Sequence, residues 1–470
     1  MKTPWELLKE SKTKIKTTWR IAFVSALVLG LWIHLPVMLS DIPNHDGLSS
    51  MYFDQNMITS GRWFLTVACG FSSYFTIPWV IGLIGLIWLA LTAAVLTEVL
   101  ELTDPVTITV VSGLLVSFPA LASTFAYVFT MDGYMLALFL AVLAVLFTAK
   151  YPRGYLAGAV CLAFSMGIYQ AYLPFTILLC VYKILLFFME EKGWKEKAKY
   201  VCRYLGMGIA GGVLYYVILQ ILLKLQGKVL DTYQGINSME QMGSGMGILA
   251  TIKGMYVDFL AFTVHGNVLV NNIFSLAACI ILVATVAFLV IRSMIWRKWW
   301  KNPAFFVIMI LLGISMPLLT NVILLISPNL TYHLLMRYQW VLYLILMSAF
   351  ADRYTAEESR TDVVLQWAAL CAAVVLVFDY GISDNIGYSN LENYLNGLVG
   401  DTGTSIVRPF VTDREVAVLN ITGMSGIQVY SSYPQVKKSE ISLPALQPGI
   451  YIVTYILTDG SRQNEKIVIT

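Results

Sequence analysis

The feature that most constrains this chain is the recurrence of apolar runs long enough to cross a lipid bilayer. A hydrocarbon core of about 30 Å needs about 20 consecutive apolar residues in a helix. Every backbone polar group inside it must be satisfied within the protein, which leaves helices or closed barrels as spanning elements. The runs here are continuous rather than alternating and so read as helices. About eleven are found by that length criterion, near residues 21–39, 79–99, 106–122, 134–149, 154–169, 172–189, 204–223, 273–291, 305–326, 337–351 and 363–379, the shorter ones being expected to pack inside a bundle. Only 13% of the residues are charged and 58% are hydrophobic, against about 25% charged in soluble domains. The first run, Ile21 to Leu39, follows Lys9, Lys12, Lys14, Lys16 and Arg20 but has no small-x-small cleavage site, so it is expected to be a retained span.

The basic residues then orient the chain. Lys and Arg collect in cytoplasmic loops. Here they cluster in 1–20, at Lys150 and Arg153, between Lys183 and Arg203, between Arg292 and Lys301, and at Arg353 and Arg360. The intervening loops hold only Arg62, Lys224, Lys228, Lys253 and Arg337. The pattern predicts a multi-pass protein of the cytoplasmic membrane with its N-terminus inside. The net charge of +3 is too small and too segregated to suggest nucleic acid as a partner.

Four regions follow: a basic cytoplasmic N-terminus, 1–20; a membrane domain, 21–379; a polar, partly helical connector, 380–410; and 411–470. In the last, short alternating runs such as "EVAVLNI", "GIYIVTYIL" and "EKIVI" are separated by turn residues and predict a small antiparallel β-domain. The topology puts it outside. The expected fold class is a polytopic α-helical membrane protein with a small C-terminal extracytoplasmic β-domain. In the outer loop 225–272, the segment "MYVDFLAFTVHGNVLV" is expected to lie along the membrane surface.

Several functions are disfavoured. No GxxxxGK[ST], HExxH or GxSxG is present, and no GxGxxG turn lies between a strand and a helix, which argues against an ATP-driven pump or a membrane metalloprotease. The six cysteines show no CxxC spacing and read as packing residues. His45, His265 and His333 share a side but no ligand spacing, so no cofactor is required and a divalent metal is not favoured.

Polar chemistry gathers instead at the outer ends of the spans. The stretch "DIPNHDGLSSMYFDQNMITSGRWF" brings Asp41, His45, Asp46, Asp54, Arg62 and Trp63 just beyond the first span; Asp132 precedes the fourth; Tyr169 and Gln170 lie between the fifth and sixth; Tyr332, His333, Arg337 and Tyr338 precede the tenth. A guanidinium can hold a phosphate bidentately, and a carboxylate can take the proton from an attacking hydroxyl. Together these groups suit transfer from a lipid-phosphate sugar, with the aromatic rings as stacking surfaces.

At these residues a resemblance appears. "NHDGLSSMYFDQNMITSGRWF", "TMDGYMLAL", "IYQAYLP" and "SPN" followed by "RYQW" resemble, in order and over about residues 20–350, the membrane glucosyltransferases that decorate bacterial O-antigens. The match departs where members often carry two adjacent acids, since here His45 precedes Asp46. The resemblance implies a C-type glycosyltransferase fold and a polyprenyl-phosphate-linked sugar donor used at the outer leaflet. By motif match Asp46 takes the catalytic acid/base role, with Asp41 as a second candidate, and Arg62 and Arg337 are candidate ligands of the carrier phosphate. His45, Trp63, Asp132, Tyr169, Gln170, Tyr332, His333 and Tyr338 are candidate substrate contacts. The C-terminal tail resembles type-nine-secretion-like β-sandwiches and reads as an envelope-facing accessory module.

The expected function is transfer of a hexose such as glucose from a polyprenyl-phosphate carrier to an envelope polysaccharide, with membrane lipids around the protein. Two rival classes share the same residues. A flippase for lipid-linked saccharides would use the outer cluster for binding alone, and a membrane scaffold would work through its β-domain. The bland roles stand beside these: Asp46 as a helix N-cap, Arg62 and Arg337 as interfacial anchors.

Overall fold

The computed structural model describes residues 3–6, 10, 14–39, 57–70, 72, 77–230, 248–296, 298, 303–327, 332–355, 359–398, 415–423, 428–434, 436–437, 449–458 and 462–469. Two units are formed. The first comprises Met1–Leu39 with Tyr52–Asn385, and the described part of the second lies within Ile386–Thr470.

The described helices are α1 (Thr17–Leu39), α2 (Leu65–Ala68), α3 (Pro78–Leu100), α4 (Pro105–Ser117), α5 (Pro119–Phe125), α6 (Met131–Lys150), α7 (Gly154–Ile168), α8 (Leu173–Met189), α9 (Trp194–Gln226), α10 (Ile248–His265), α11 (Ile273–Trp296), α12 (Pro303–Thr320), α13 (Val322–Ile326), α14 (Val341–Tyr354) and α15 (Arg360–Leu398). Among the described residues nine helices are long and apolar enough to cross a membrane, or ten if the bent pair α4 and α5 is one span. Each expected apolar run is helical. The expected eleven differ from that number because α7 and α12 are shorter apolar helices, while α10, which is not among the eleven, meets the criterion for a span. α7 packs against α6 and α9. Residues 380–398, expected in the connector, continue α15.

Proline sets where several helices begin, because its missing N–H costs nothing in the first turn. Pro78, Pro105 and Pro119 open α3, α4 and α5, and the Asp104 carboxylate caps α4 by accepting from Thr107 N at 2.7 Å. α6 packs against α3, and α3 against α1. A Cβ on Gly30 would lie 2.8 Å from Leu86, and one on Gly85 2.9 Å from Met131. Small residues thus bring these helices close, as they do in membranes, where dispersion between closely packed backbones replaces a hydrophobic drive.

The residues assigned to cytoplasmic loops meet at one end of this unit. Lys16 and Lys150 grip Glu98 at 2.7 and 2.8 Å, and Lys183 and Arg353 grip Glu101 at 2.6 and 2.8 Å. Burial pushes the Glu101 carboxyl up, but the hydrogen bonds and charges of Lys183 and Arg353 outweigh it and hold the group below its usual range. Arg292 pairs with Asp362 and donates to Tyr354 O. α11 therefore runs toward this cationic end. α10 meets the length and hydropathy of a span, where the sequence alone suggested a segment lying along the membrane surface.

Between α4 and α5 the chain bends by 48°. Pro119 has no N–H for the carbonyl of Leu115, four residues earlier. The Tyr338 hydroxyl donates to that carbonyl instead, and His34 Nε2 donates to Val116 O at 2.8 Å. Side chains from two other helical segments thus replace the bonds the break removes.

In the second unit the described strands form one antiparallel sheet. β1 (Glu415–Gly423) pairs with β2 (Gln428–Ser432), β3 (Val436–Lys437) and β4 (Gly449–Leu457), and β4 pairs with β5 (Arg462–Ile469). Val416, Leu419, Ile421, Val453, Tyr455 and Leu457 make its core. A register shift between Val416 and Val418 changes the parity of β1, which is why both Val416 and Leu419 face inward.

Candidate functional site

The distal end is organised by a turn that ends in Arg62. Met57 and Arg62 form an antiparallel bridge around a single turn of 3₁₀ helix, Ile58–Ser60. Gly61 closes it with φ +76°, a region open to glycine because it carries no Cβ. Close approach matters as much. The Tyr215 hydroxyl donates to Gly61 O at 3.1 Å, and the Gln170 amide donates to Ser60 O at 3.3 Å and to the Tyr215 oxygen at 3.0 Å. A Cβ on Gly61 would lie 2.6 Å from both side chains.

Arg62 leaves this turn toward a tyrosine floor. Its Nη1 donates to the Tyr134 hydroxyl at 3.1 Å, and its guanidinium lies 4.9 Å above the Tyr169 ring. Tyr134 and Tyr169 are themselves stacked, 4.3 Å apart. Rings continue from there: Tyr169 meets Tyr172 edge-on at 5.7 Å, and Tyr172 meets Tyr338 at 6.4 Å. The two candidate arginines thus lie at the ends of one aromatic path, Arg337 being next to Tyr338 in the chain. The hydroxyl of Tyr172 has no hydrogen-bond partner among the described residues.

Trp63 points elsewhere. Its indole lies against Gly167 and meets Phe164 edge-on at 5.2 Å, and Phe64 N donates to Gly167 O at 2.7 Å. Trp63 is buried, with its indole Nε1 unpaired among the described residues. Asp132, at the start of α6, is also buried. Its carboxylate accepts from Ser72 Oγ at 2.7 Å and from Gly133 N at 2.9 Å. Carboxylates are favoured at a helix N-terminus by the exposed amides and the dipole.

A second polar cluster surrounds Arg337. Nη1 and Nη2 donate to the two oxygens of Asp258 at 2.8 and 2.7 Å, and Nε donates to Tyr332 O at 3.3 Å. The guanidinium lies between the rings of Tyr332, at 3.9 Å, and Phe262, at 4.7 Å. Asn321 Nδ2 donates to Asp258 and to Met255 O, both at 3.0 Å. Gln339 Nε2 donates to Thr320 O at 3.0 Å and to the Tyr332 hydroxyl at 2.6 Å. The carbonyl oxygens of Asn321 and Gln339 are buried without a partner among the described residues.

The structure therefore gathers Arg62, Tyr169 and Gln170 in one cluster and Arg337 with Tyr332 in another, while the Tyr338 side chain turns to Leu115 and meets Tyr172. Asp132 is held separately by Ser72, and His333 is exposed. Asp41, His45, Asp46 and Asp54 lie outside the described residues. Among the described residues no three His, Cys, Asp or Glu side chains form a metal-binding group. Sequence reasoning missed Tyr134, Tyr215, Asp258, Asn321 and Asp384. Tyr134 lay inside the quoted "TMDGYMLAL", and Asp258 was the one acid of α10. Asp384, on α15, is buried, and no hydrogen-bond partner of its Oδ2 is found among the described residues. A buried ionisable group in a membrane helix is a functional signal in its own right.

A family model described as glucosyl transferase GtrII matches residues 35–351. No curated protein and no solved structure matches the chain.

Proposed function

The chain belongs to the glucosyl transferase GtrII family, a membrane glycosyltransferase by that membership, and from that premise we propose that its donor is a polyprenyl-phosphate-linked hexose. The acceptor is an envelope glycan, and transfer takes place at the outer face of the cytoplasmic membrane. The observation that carries this reading is the fixed cation at the distal end: Arg62 set by the Gly61 turn and directed onto stacked Tyr134 and Tyr169.

The chemistry needs two charges of opposite sign. As the bond from the anomeric carbon to the phosphate oxygen breaks, negative charge grows on the leaving phosphate. Arg62 and Arg337 are the groups suited to hold it, since guanidinium gives charge-assisted bonds to phosphate oxygens. The incoming hydroxyl loses its proton as it attacks, and Asp46 is the assigned base. Leu39 and Met57, the described residues nearest to Asp46 in the chain, both belong to the distal end, opposite the glutamate clamps. That is the end at which the carrier's head group lies when the cationic end faces the cytoplasm. Tyr169, Tyr172 and Gln170 line the approach to Arg62.

The test uses the purified full chain with labelled polyprenyl-phosphate hexose and an acceptor glycan. Wild type moves the label, Asp46→Asn abolishes transfer while the melting temperature is kept, and Arg62→Ala weakens donor binding. Full transfer by Asp46→Asn removes that residue from the mechanism. Movement of intact lipid across the bilayer without transfer assigns the protein to the flippase class.

A further inference from the structure

We propose that Asp258 occupies the seat of the carrier's phosphate: the donors that hold its oxygens, Arg337 Nη1 and Nη2 and Asn321 Nδ2, form an oxyanion site that the lipid-linked phosphate enters by displacing the carboxylate. The inference rests on the donor assignment above and adds Asn321 and Asp258 to that site.

The geometry is that of an anion site already filled from within. Three N–H donors converge on two oxygens at 2.7 to 3.0 Å, and the guanidinium presents its fork edge-on, as it does to phosphate. The cation is the fixed partner. Only 10% of the Arg337 side chain is exposed, its Nε bonds Tyr332 O, and the Tyr332 ring covers one face. Asn321 is fully buried and is held by a second bond to Met255 O.

The carboxylate is the mobile partner. Asp258 is 27% exposed and stands on α10, where only Thr251 and Met255 are buried. A lightly packed helix of this kind opens at low cost. A buried arginine stripped of its anion is costly, so Arg337 keeps a strong demand for a replacement. The phosphate of the donor supplies one.

The rest of the cluster fits the remainder of the ligand. Asn321 Oδ1 and Gln339 Oε1, both buried and unpaired among the described residues, adjoin the donors through Thr320, whose carbonyl binds Gln339. Buried polar atoms are ordinarily hydrogen-bonded. Three anion donors beside two open acceptors match a glycosyl phosphate, whose phosphate accepts and whose sugar hydroxyls donate.

The experiment measures binding of a short-chain polyprenyl phosphate to the full chain in detergent. Asp258→Asn is expected to bind about tenfold tighter, the ratio given by weakening an internal competitor by about 1.4 kcal/mol. Arg337→Ala is expected to lose binding. A purely structural ion pair predicts the opposite sign for Asp258→Asn, and equal or weaker binding overturns the proposal. If wild type binds, Arg62→Ala abolishes binding and Asp258→Asn changes nothing, the donor assignment stands and this inference falls. If wild type binds no polyprenyl phosphate, the donor assignment itself falls. Inorganic phosphate competing as strongly as the lipid would make the site one for free phosphate and overturn the carrier assignment. Stability gives a second readout. Asp258→Asn is expected to melt lower than wild type and to recover in inorganic phosphate but not in chloride of equal ionic strength; no recovery overturns the proposal.

Discussion

Gly61→Ala is the sharpest test of how Arg62 is positioned. The new methyl meets two constraints at once. The residue must hold φ near +76°, which costs a side-chain-bearing residue about 1–2 kcal/mol. Its Cβ would also lie 2.6 Å from Gln170 Nε2 and 2.6 Å from the Tyr215 hydroxyl, so both must withdraw. Withdrawal breaks the bonds from Gln170 to Ser60 O and to Tyr215, and from Tyr215 to Gly61 O, at roughly 1 kcal/mol each. Together the loss is about 4 kcal/mol, a large part of the ~5–15 kcal/mol that holds a folded domain. The assay is denaturation of the purified protein in detergent, read beside donor binding. Gly208→Ala is the control, because Gly208 lies within α9 with nothing within 4 Å of the added carbon, and alanine in a helix is favoured by about 1 kcal/mol. Expected are a marked loss of stability and of donor affinity for Gly61→Ala and none for the control. Stability of Gly61→Ala within about 1 kcal/mol of wild type, with donor binding intact, would show that the close approach does not fix the turn.

Two further outcomes are expected. Tyr338→Phe leaves the Leu115 carbonyl buried and without a donor, a loss of about 1–3 kcal/mol in the same denaturation assay, and Pro119→Ala added to it should return part by restoring an amide; an unchanged Tyr338→Phe would refute the replacement. Asp384→Leu should stabilise the protein by about 1–3 kcal/mol by removing a buried carboxylate with an oxygen unpaired among the described residues, and a fall in stability would reveal a favourable interaction at that residue.

The membrane bundle was legible because an apolar run is a local signal. Charge was legible too: Lys16, Lys150, Lys183 and Arg353, assigned to one side by loop alone, do converge on Glu98 and Glu101. Partnership across the chain was not. Nothing in "MYVDFLAF" announces that Asp258 is held by Arg337, 79 residues later, because neither periodicity nor spacing encodes a contact between separate helices. Arg62 was found from its motif, yet the Tyr134 and Tyr215 that set its environment were hidden among 26 tyrosines, most of them indistinguishable by pattern from packing residues. The extension of α15 through 380–398 was only partly legible, since polar residues such as Ser383, Asp384 and Asn385 mask a helix whose inward positions are buried.

The break at Pro119 also bears on the order in which this protein can be assembled. Spans emerge from the ribosome in sequence, and α4 and α5 reach the bilayer long before Tyr338, 223 residues downstream of Leu115, has been made. Until then the Leu115 carbonyl faces a medium that offers it no donor, so the bent pair α4 and α5 is a provisional element, completed by a late one. A truncated or stalled chain would therefore carry an unsatisfied joint in its membrane domain. That joint would mark it as unfinished to the machinery that removes incomplete membrane proteins.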